Sequence, residues 1–179
     1  MKRLSLILTA LALIAATTAL AQQLPPPPSL DQPTIVSTSS GGLVTTPAIS
    51  RSGHIFITEG DAKLVVLNPD KSMATSAVIA SETTCKASPV LNRDASRVYC
   101  ATLDGRVVCF SVSYSAGSVS LSPLWTRQLS TEEIVGNDTV GTSLVATPSL
   151  AENESRLYVV TGSGSPTRGH GRLFALETV

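Results

Sequence analysis

Three cysteines, Cys85, Cys100 and Cys109, carry the most reactive side chains in the sequence. A thiol acts as nucleophile or metal ligand only as the thiolate, so it needs a partner that lowers its pKa. No Cys-x-x-Cys spacing and no histidine cluster accompanies them, which argues against zinc. A disulfide is the remaining chemistry. Asp104-Gly105 reads as a two-residue turn that pairs Leu103 with Arg106, and it then sets Cys100 opposite Cys109 as a non-hydrogen-bonded pair able to bridge. In the other register the turn is a three-residue loop with Gly105 as a bulge, so the thiols are offset and serve as buried hydrophobes. Sequence leaves both registers open, and Cys85 stays unpaired in either.

A second candidate is the run from Gly162 to Gly171, Gly-Ser-Gly-Ser-Pro-Thr-Arg-Gly-His-Gly. Its backbone N–H groups can form an anion nest, with charge from Arg168 or His170. No helix pattern follows it, and helix N-termini are what make phosphate loops strong. An enlarged hairpin loop therefore explains it better than a cofactor cradle. Loops carry specificity, so Arg168 and His170 mark the first place to look for a ligand.

The remaining polar residues suit structure better than catalysis. His54 falls in a polar turn, and neither it nor His170 has an evident Ser or Asp partner. Asp94 and Asp104 occupy turns, where Asp bonds its own backbone, and calcium is the weaker reading for both. Glu132 and Glu133 follow Ser130 as in a helix-capping box, or are simply solvated. Asn137-Asp138-Thr139 and Asn153-Glu154-Ser155 match the glycosylation acceptor, which matters only in a eukaryotic source. No Gly-x-Ser-x-Gly elbow is present. Neither a catalytic constellation nor a metal site is expected.

The elements that hold these residues repeat. Val44-Thr45-Thr46-Pro47-Ala48-Ile49, Lys86-Ala87-Ser88-Pro89-Val90-Leu91 and Val145-Ala146-Thr147-Pro148-Ser149-Leu150 each carry a hydroxyl residue, a proline and an apolar residue two beyond it. A polar turn follows, then a strand with an aromatic at its second place: Ile55-Phe56-Ile57, Val98-Tyr99-Cys100 and Leu157-Tyr158-Val159. After a loop, each copy resumes with a basic residue and a mostly apolar strand, at Lys63–Leu67, Arg106–Phe110 and Arg172–Leu176. The prolines are 42 and 59 residues apart. Near-continuous apolar strands without helical period suit sheets buried on both faces. A period near 42 with four short strands is the size of one β-propeller blade. The fourth strand is expected at 74–80 and 121–129. The fold class expected is all-β, a partial β-propeller over 34–179 with repeats at about 41–80, 84–130 and 142–179, the last blade incomplete.

Together these motifs resemble the pyrroloquinoline-quinone-type (quinoprotein dehydrogenase-like) propeller repeat. Arg172-Leu173-Phe174-Ala175-Leu176 is the best match among the copies, and Leu124-Trp125 resembles the Trp that often ends such a blade. The resemblance covers about residue 41 onward and implies a fold rather than an activity, since repeat residues pack blades together. Its family includes quinone-dependent alcohol dehydrogenases and the non-enzymatic lipoprotein of the outer-membrane barrel assembly machinery. This sequence lacks the adjacent Cys-Cys pair of the former, and it lacks the lipid-bearing Cys of the latter.

The N-terminus reads as a secretory leader over 1–21: basic Lys2-Arg3, an apolar stretch from Leu4 to Ala16, then Ala19-Leu20-Ala21, with cleavage between Ala21 and Gln22. An uncleaved anchor is the alternative, but the apolar stretch is short for a span. A Pro-rich linker at 22–33 includes four consecutive prolines, which favour an extended spacer. The chain balances 13 basic against 13 acidic residues; without Lys2 and Arg3 the mature part keeps 11 against 13. With no basic run it offers no footprint for nucleic acid or anionic lipid.

The sequence therefore predicts an exported, periplasmic or secreted, non-enzymatic propeller module that binds a protein or other ligand, with no cofactor of its own. Two alternatives stand beside it: the N-terminal part of a quinone-dependent alcohol or sugar dehydrogenase, which would bring pyrroloquinoline quinone and calcium, or a structural repeat of a larger surface protein. About 138 residues of repeat cannot close a ring, which needs four blades or more. Self-association through open terminal faces, including Leu173 and Leu176, is expected.

Overall fold

The structure, a computed structural model, describes residues 45–115, 117–129, 133–135, 138–140, 144, 146–162 and 171–178. All fall within one compact unit, Ile35–Val179. The leader with its Ala21–Gln22 cleavage site, the Pro-rich linker, Glu132, Asn137 and the loop residues Arg168 and His170 lie outside the described residues.

The first sheet is a four-stranded antiparallel meander, β1 (Ala48–Ile49), β2 (Ile55–Thr58), β3 (Lys63–Leu67) and β4 (Met73–Val78). The second repeats it with β5 (Val90–Leu91), β6 (Arg97–Ala101), β7 (Arg106–Ser115) and β8 (Ser118–Gln128). A short hairpin of β9 (Glu133–Val135) and β10 (Asp138–Val140) follows. The third sheet contains β11 (Ser149–Leu150), β12 (Arg156–Val160) and β13 (Leu173–Glu177). Glu133 thus sits in a strand rather than a helix cap. Its β-branched neighbours Ile134 and Val135 favour a strand, and Glu133, Ile134 and Val135 pair with Val140, Thr139 and Asp138.

The repeated residues do repeated work. The polar turn before the second strand is the same in the second and third copies. Asp94 Oδ1 accepts from Ser96 N and Oγ at 3.0 and 2.7 Å, and Asn153 Oδ1 accepts from Ser155 N and Oγ at 3.2 and 2.8 Å. The central pairs also repeat: Phe56 faces Val66, Tyr99 faces Cys109, and Tyr158 faces Ala175. The residue before each proline joins blade to blade, through its N–H, its hydroxyl or both. Thr46 N donates to Ser88 Oγ at 2.9 Å, and Ser88 N donates to Thr147 Oγ1 at 3.3 Å. These bonds span 42 and 59 residues, the spacings of the prolines themselves. Each proline adds no donor that would be left unpaired at the head of its strand.

The core lies between blades rather than within them. Phe56, Leu64 and Val66 of the first blade pack with Val98, Cys100, Val108 and Phe110 of the second. From the opposite face of the second, Tyr99, Ala101, Val107 and Cys109 pack with Leu157 and Val159 of the third, and half-buried Trp125, Phe174 and Leu176 join them. Burying each large side chain contributes ~1.5–3 kcal/mol. The first blade's outward residues Ile57, Val65 and Leu67 are also buried, at 7, 2 and 4 % exposure. Of the two leucines expected at an open face, Leu173 is 68 % exposed, whereas Leu176 is half-buried and packs with the core shared with the second blade, which corrects the expectation for Leu176.

Of the two hairpin registers the sequence left open, the strands take the bulged one, which does not align Cys100 with Cys109 for a disulfide. Cys100 pairs with Val108 and Cys109 with Tyr99, so the two thiols lie on opposite faces of one sheet, in different cores. Three residues, Leu103 to Gly105, form the turn: Thr102 N bonds Arg106 O at 2.9 Å and Gly105 N bonds Thr102 O at 3.1 Å. Gly105 adopts φ 86°, the left-handed conformation this loop requires and glycine adopts without strain. All three cysteines are buried free thiols.

Gly171 is required for a different reason. A Cβ there would come within 2.4 Å of the Thr161 carbonyl oxygen, where Thr161 N bonds Arg172 O at 2.9 Å to close the hairpin. Gly171→Ala should lower stability by about 1–3 kcal/mol, the usual cost of overpacking. Urea unfolding of the variant beside the parent measures it, and an unchanged midpoint contradicts the close approach.

Candidate functional site

Antiparallel order places every hairpin between second and third strands at one end of the sheets, beside the connections from blade to blade. Ile79 N bonds Ala62 O at 2.8 Å, Leu103 N bonds Thr84 O at 2.8 Å, and Leu129 N bonds Gly105 O at 2.9 Å. The connection after the first blade thus ties the hairpins of two blades together. Between them Glu82, Thr83 and Thr84 face Leu103 and Asp104 across an open cleft of about 430 Å³. The described ends of the third hairpin, Thr161 to Gly162 and Gly171 to Arg172, occupy the corresponding place in their own blade.

Charge at this end follows the repeat. Asp104 Oδ2 pairs with Arg106 Nε at 2.9 Å, and its Oδ1 accepts from Thr102 Oγ1 at 2.5 Å. In the first blade Asp61 Oδ2 pairs with Lys63 Nζ at 2.9 Å in the same arrangement. The hydroxyl position differs. Blades two and three place Thr102 and Thr161 there, both buried, whereas blade one places Glu59, only 3 % exposed. A threonine hydroxyl always has a proton to donate to the aspartate; a glutamate must be protonated to do so. Burial, and then the Asp61 carboxylate, hold the Glu59 carboxyl above its ordinary pKa. This substitution within the repeat is visible in the sequence once the first two hairpins are aligned on Asp61 with Lys63 and Asp104 with Arg106.

The sign of its effect follows. A carboxyl whose pKa is raised on folding favours the folded state most below its ordinary pKa of about 4.3, and that contribution is lost as pH rises through the raised value. Glu59→Thr should remove this pH-dependent term and restore the hydroxyl of the other blades. At pH 7 the variant should be the more stable by on the order of 1 kcal/mol, the net size of one hydrogen bond. The advantage should shrink toward pH 4. Thermal melts of both proteins from pH 4 to 8 check this, and a pH-independent difference contradicts it.

The thiols contribute no nucleophile. Burial, with Asp104 and Asp61 adding to it, pushes Cys85 up to about 12; burial pushes Cys109 up to about 11 and Cys100 well above the usual thiol range. Cys85 Sγ donates to Ala101 O at 3.3 Å. Asp94 Oδ1 accepts from Asn92 Nδ2 and from Ser96 N and Oγ, and the two Asp104 oxygens are engaged by Thr102 Oγ1 and Arg106 Nε, so both aspartates serve their own turns. Among the described residues no three His, Cys, Asp or Glu side chains gather as for a metal, and no helix is long and apolar enough to cross a membrane. His54 lies at the opposite end, where its ring meets Tyr114 at 5.1 Å and its Nδ1 bonds Ser52 Oγ at 2.9 Å.

No family model matches the chain, and no curated protein matches it by sequence. Its fold is similar to that of BamB from Moraxella catarrhalis, at 15% identity, covering 77% of this chain and 35% of that one, with a TM-score of 0.50. The β-propeller domain of Cps50 (Swd1) from Myceliophteria thermophila aligns at 11% identity over 81% of this chain and 42% of that one, with a TM-score of 0.49. The chain spans well under half the length of either structure.

Proposed function

We propose that this partial β-propeller is an exported, non-enzymatic module that binds a protein or other ligand at the hairpin end of its blades. The observation that carries the reading is how the repeat uses its polar groups. Thr46, Ser88 and Thr147 join blades, Asp94 and Asn153 close turns, and Asp61 and Asp104 pair with the basic residue two beyond. The side chains that invite a chemical role are thus engaged in holding the sheets together. The cleft of Glu82–Thr84 with Leu103 and Asp104 lies at the end where the sequence also places its longest hairpin loop, the run that carries Arg168 and His170. Loops over a rigid scaffold are the usual seat of recognition.

Expression of the full chain in a secreting bacterial host tests both halves. Export predicts a soluble protein whose mass begins at Gln22; recovery of intact Met1–Val179 from membranes overturns it. A photo-crosslinking residue at Leu103 should trap an envelope partner that the same residue at Asn153, on the opposite end, does not. Equal trapping or none overturns the binding reading. Dye reduction by the recovered protein with pyrroloquinoline quinone, calcium and an alcohol would instead favour the dehydrogenase.

A further inference from the structure

We infer that the cleft between the second hairpin and the connection after the first blade receives a basic side chain of the partner. The stem of that lysine or arginine lies along the floor, and its cation meets the carboxylates at the rim. The inference rests on the binding reading above and names the chemistry of what binds. Glu82, Thr83 and Thr84 stand on one side of the cleft, Leu103 and Asp104 on the other. The two walls are fixed to each other, because Leu103 N donates to Thr84 O at 2.8 Å. The connection is also fixed to the first hairpin, where Ile79 N donates to Ala62 O at 2.8 Å. A cleft tied at both ends is already shaped, so a ligand has little left to order.

Charge decides which ligands fit. Asp61 and Asp104 are balanced by Lys63 and Arg106, each pair at 2.9 Å. Glu82 is exposed and enters no hydrogen bond or ion pair among the described residues. Lys86, the next cation along the chain, does not line the cleft, so Glu82 is the uncompensated charge at its rim. Asp104 adds acceptor capacity. Its two oxygens have one partner each, Arg106 Nε and Thr102 Oγ1, and each keeps a second lone pair. Beneath the floor, burial pushes the Cys85 thiol up to about 12 and Asp104 and Asp61 add to it, so the fields of both carboxylates converge here. Such a field repels an anion and attracts a cation. The neutral lining is half-buried Leu103 with two threonines, which is rich in carbon. A basic side chain matches both parts, because Lys and Arg lay an aliphatic stem on apolar surface and keep the charged head at the water.

Defined peptides test this: acetyl-Gly-Gly-X-Gly-Gly-amide, with lysine, arginine, norleucine or glutamate at X, titrated at millimolar concentration into the isotope-labelled full chain. The lysine and arginine peptides should shift the amide resonances of Thr83, Thr84, Leu103 and Asp104. The norleucine and glutamate peptides should bind there about threefold more weakly or worse. Glu82→Gln should weaken the lysine peptide by about two- to fivefold, the range of one exposed ion pair, and leave the norleucine peptide unchanged. Added salt should weaken the lysine peptide in the same way. Amide resonances away from the cleft should match between Glu82→Gln and the parent, which separates a lost contact from a lost fold. Binding of the lysine peptide no better than norleucine, or shifts confined to residues outside the cleft, overturns the inference. If the crosslinking residue at Leu103 still traps its partner in that case, the binding reading stands and only the basic side chain falls.

Discussion

Tyr99→Ala should destabilise the protein by about 3–5 kcal/mol, the range for losing a fully buried aromatic. Tyr99 is 1 % exposed, packs with Leu157 and Val159 of the next blade, and lies 6.1 Å from the Trp125 ring. Its removal opens a cavity in the contact that holds the third blade, where the strands on either side are fixed by hydrogen bonds and cannot collapse inward. Tyr158→Ala is the internal control, because it deletes the same side chain from the same place in the repeat. At 36 % exposure and with no blade against it, Tyr158 should cost ~1 kcal/mol or less. Guanidinium unfolding followed by Trp125 fluorescence compares the two. Equal losses would mean that position in the strand, rather than the neighbouring blade, governs the contribution of the aromatic.

The second large effect is chemical. In the folded protein Cys85, Cys100 and Cys109 should release no colour with Ellman's reagent at pH 8 over an hour, and all three should react in guanidinium. Two causes act together. Each thiol is fully buried, and with Cys85 held at about 12 the thiolate fraction at pH 8 is on the order of 10⁻⁴. Reaction should then proceed only through unfolding. The same geometry predicts that protein recovered from an oxidising compartment contains no Cys100–Cys109 bridge, because their side chains leave opposite faces of one sheet. Peptide mapping without reductant decides this. A linked pair would require the hairpin to shift by one residue, which would turn Tyr99 or Val107, according to which strand moved, out of the core.

What the sequence determined by itself was everything carried by local pattern. Near-continuous apolar runs specified strands, Ser/Thr-Pro steps marked where blades begin, and the aromatic at the second place of each middle strand marked the repeat. Period and strand chemistry are local, and together they imply stacked blades. The hairpin register was not determined, because Asp104-Gly105 suits a two-residue turn and a three-residue bulged loop equally. Packing chose between them, since only the bulged register points Tyr99 and Cys109 into one core and Val98 and Cys100 into the other. The role of the hydroxyls before proline was equally invisible, because each bonds a residue 42 or 59 positions away. The carboxyl of Glu59 looks like any surface glutamate until the hairpin buries it beside Asp61. Which of two leucines in the last strand is buried was beyond the sequence altogether. Leu173 and Leu176 are the same residue type three apart in one strand, yet one meets solvent and the other the second blade. Side chains an odd number of places apart leave opposite faces of a strand, and only the position of the neighbouring sheet decides which face is buried.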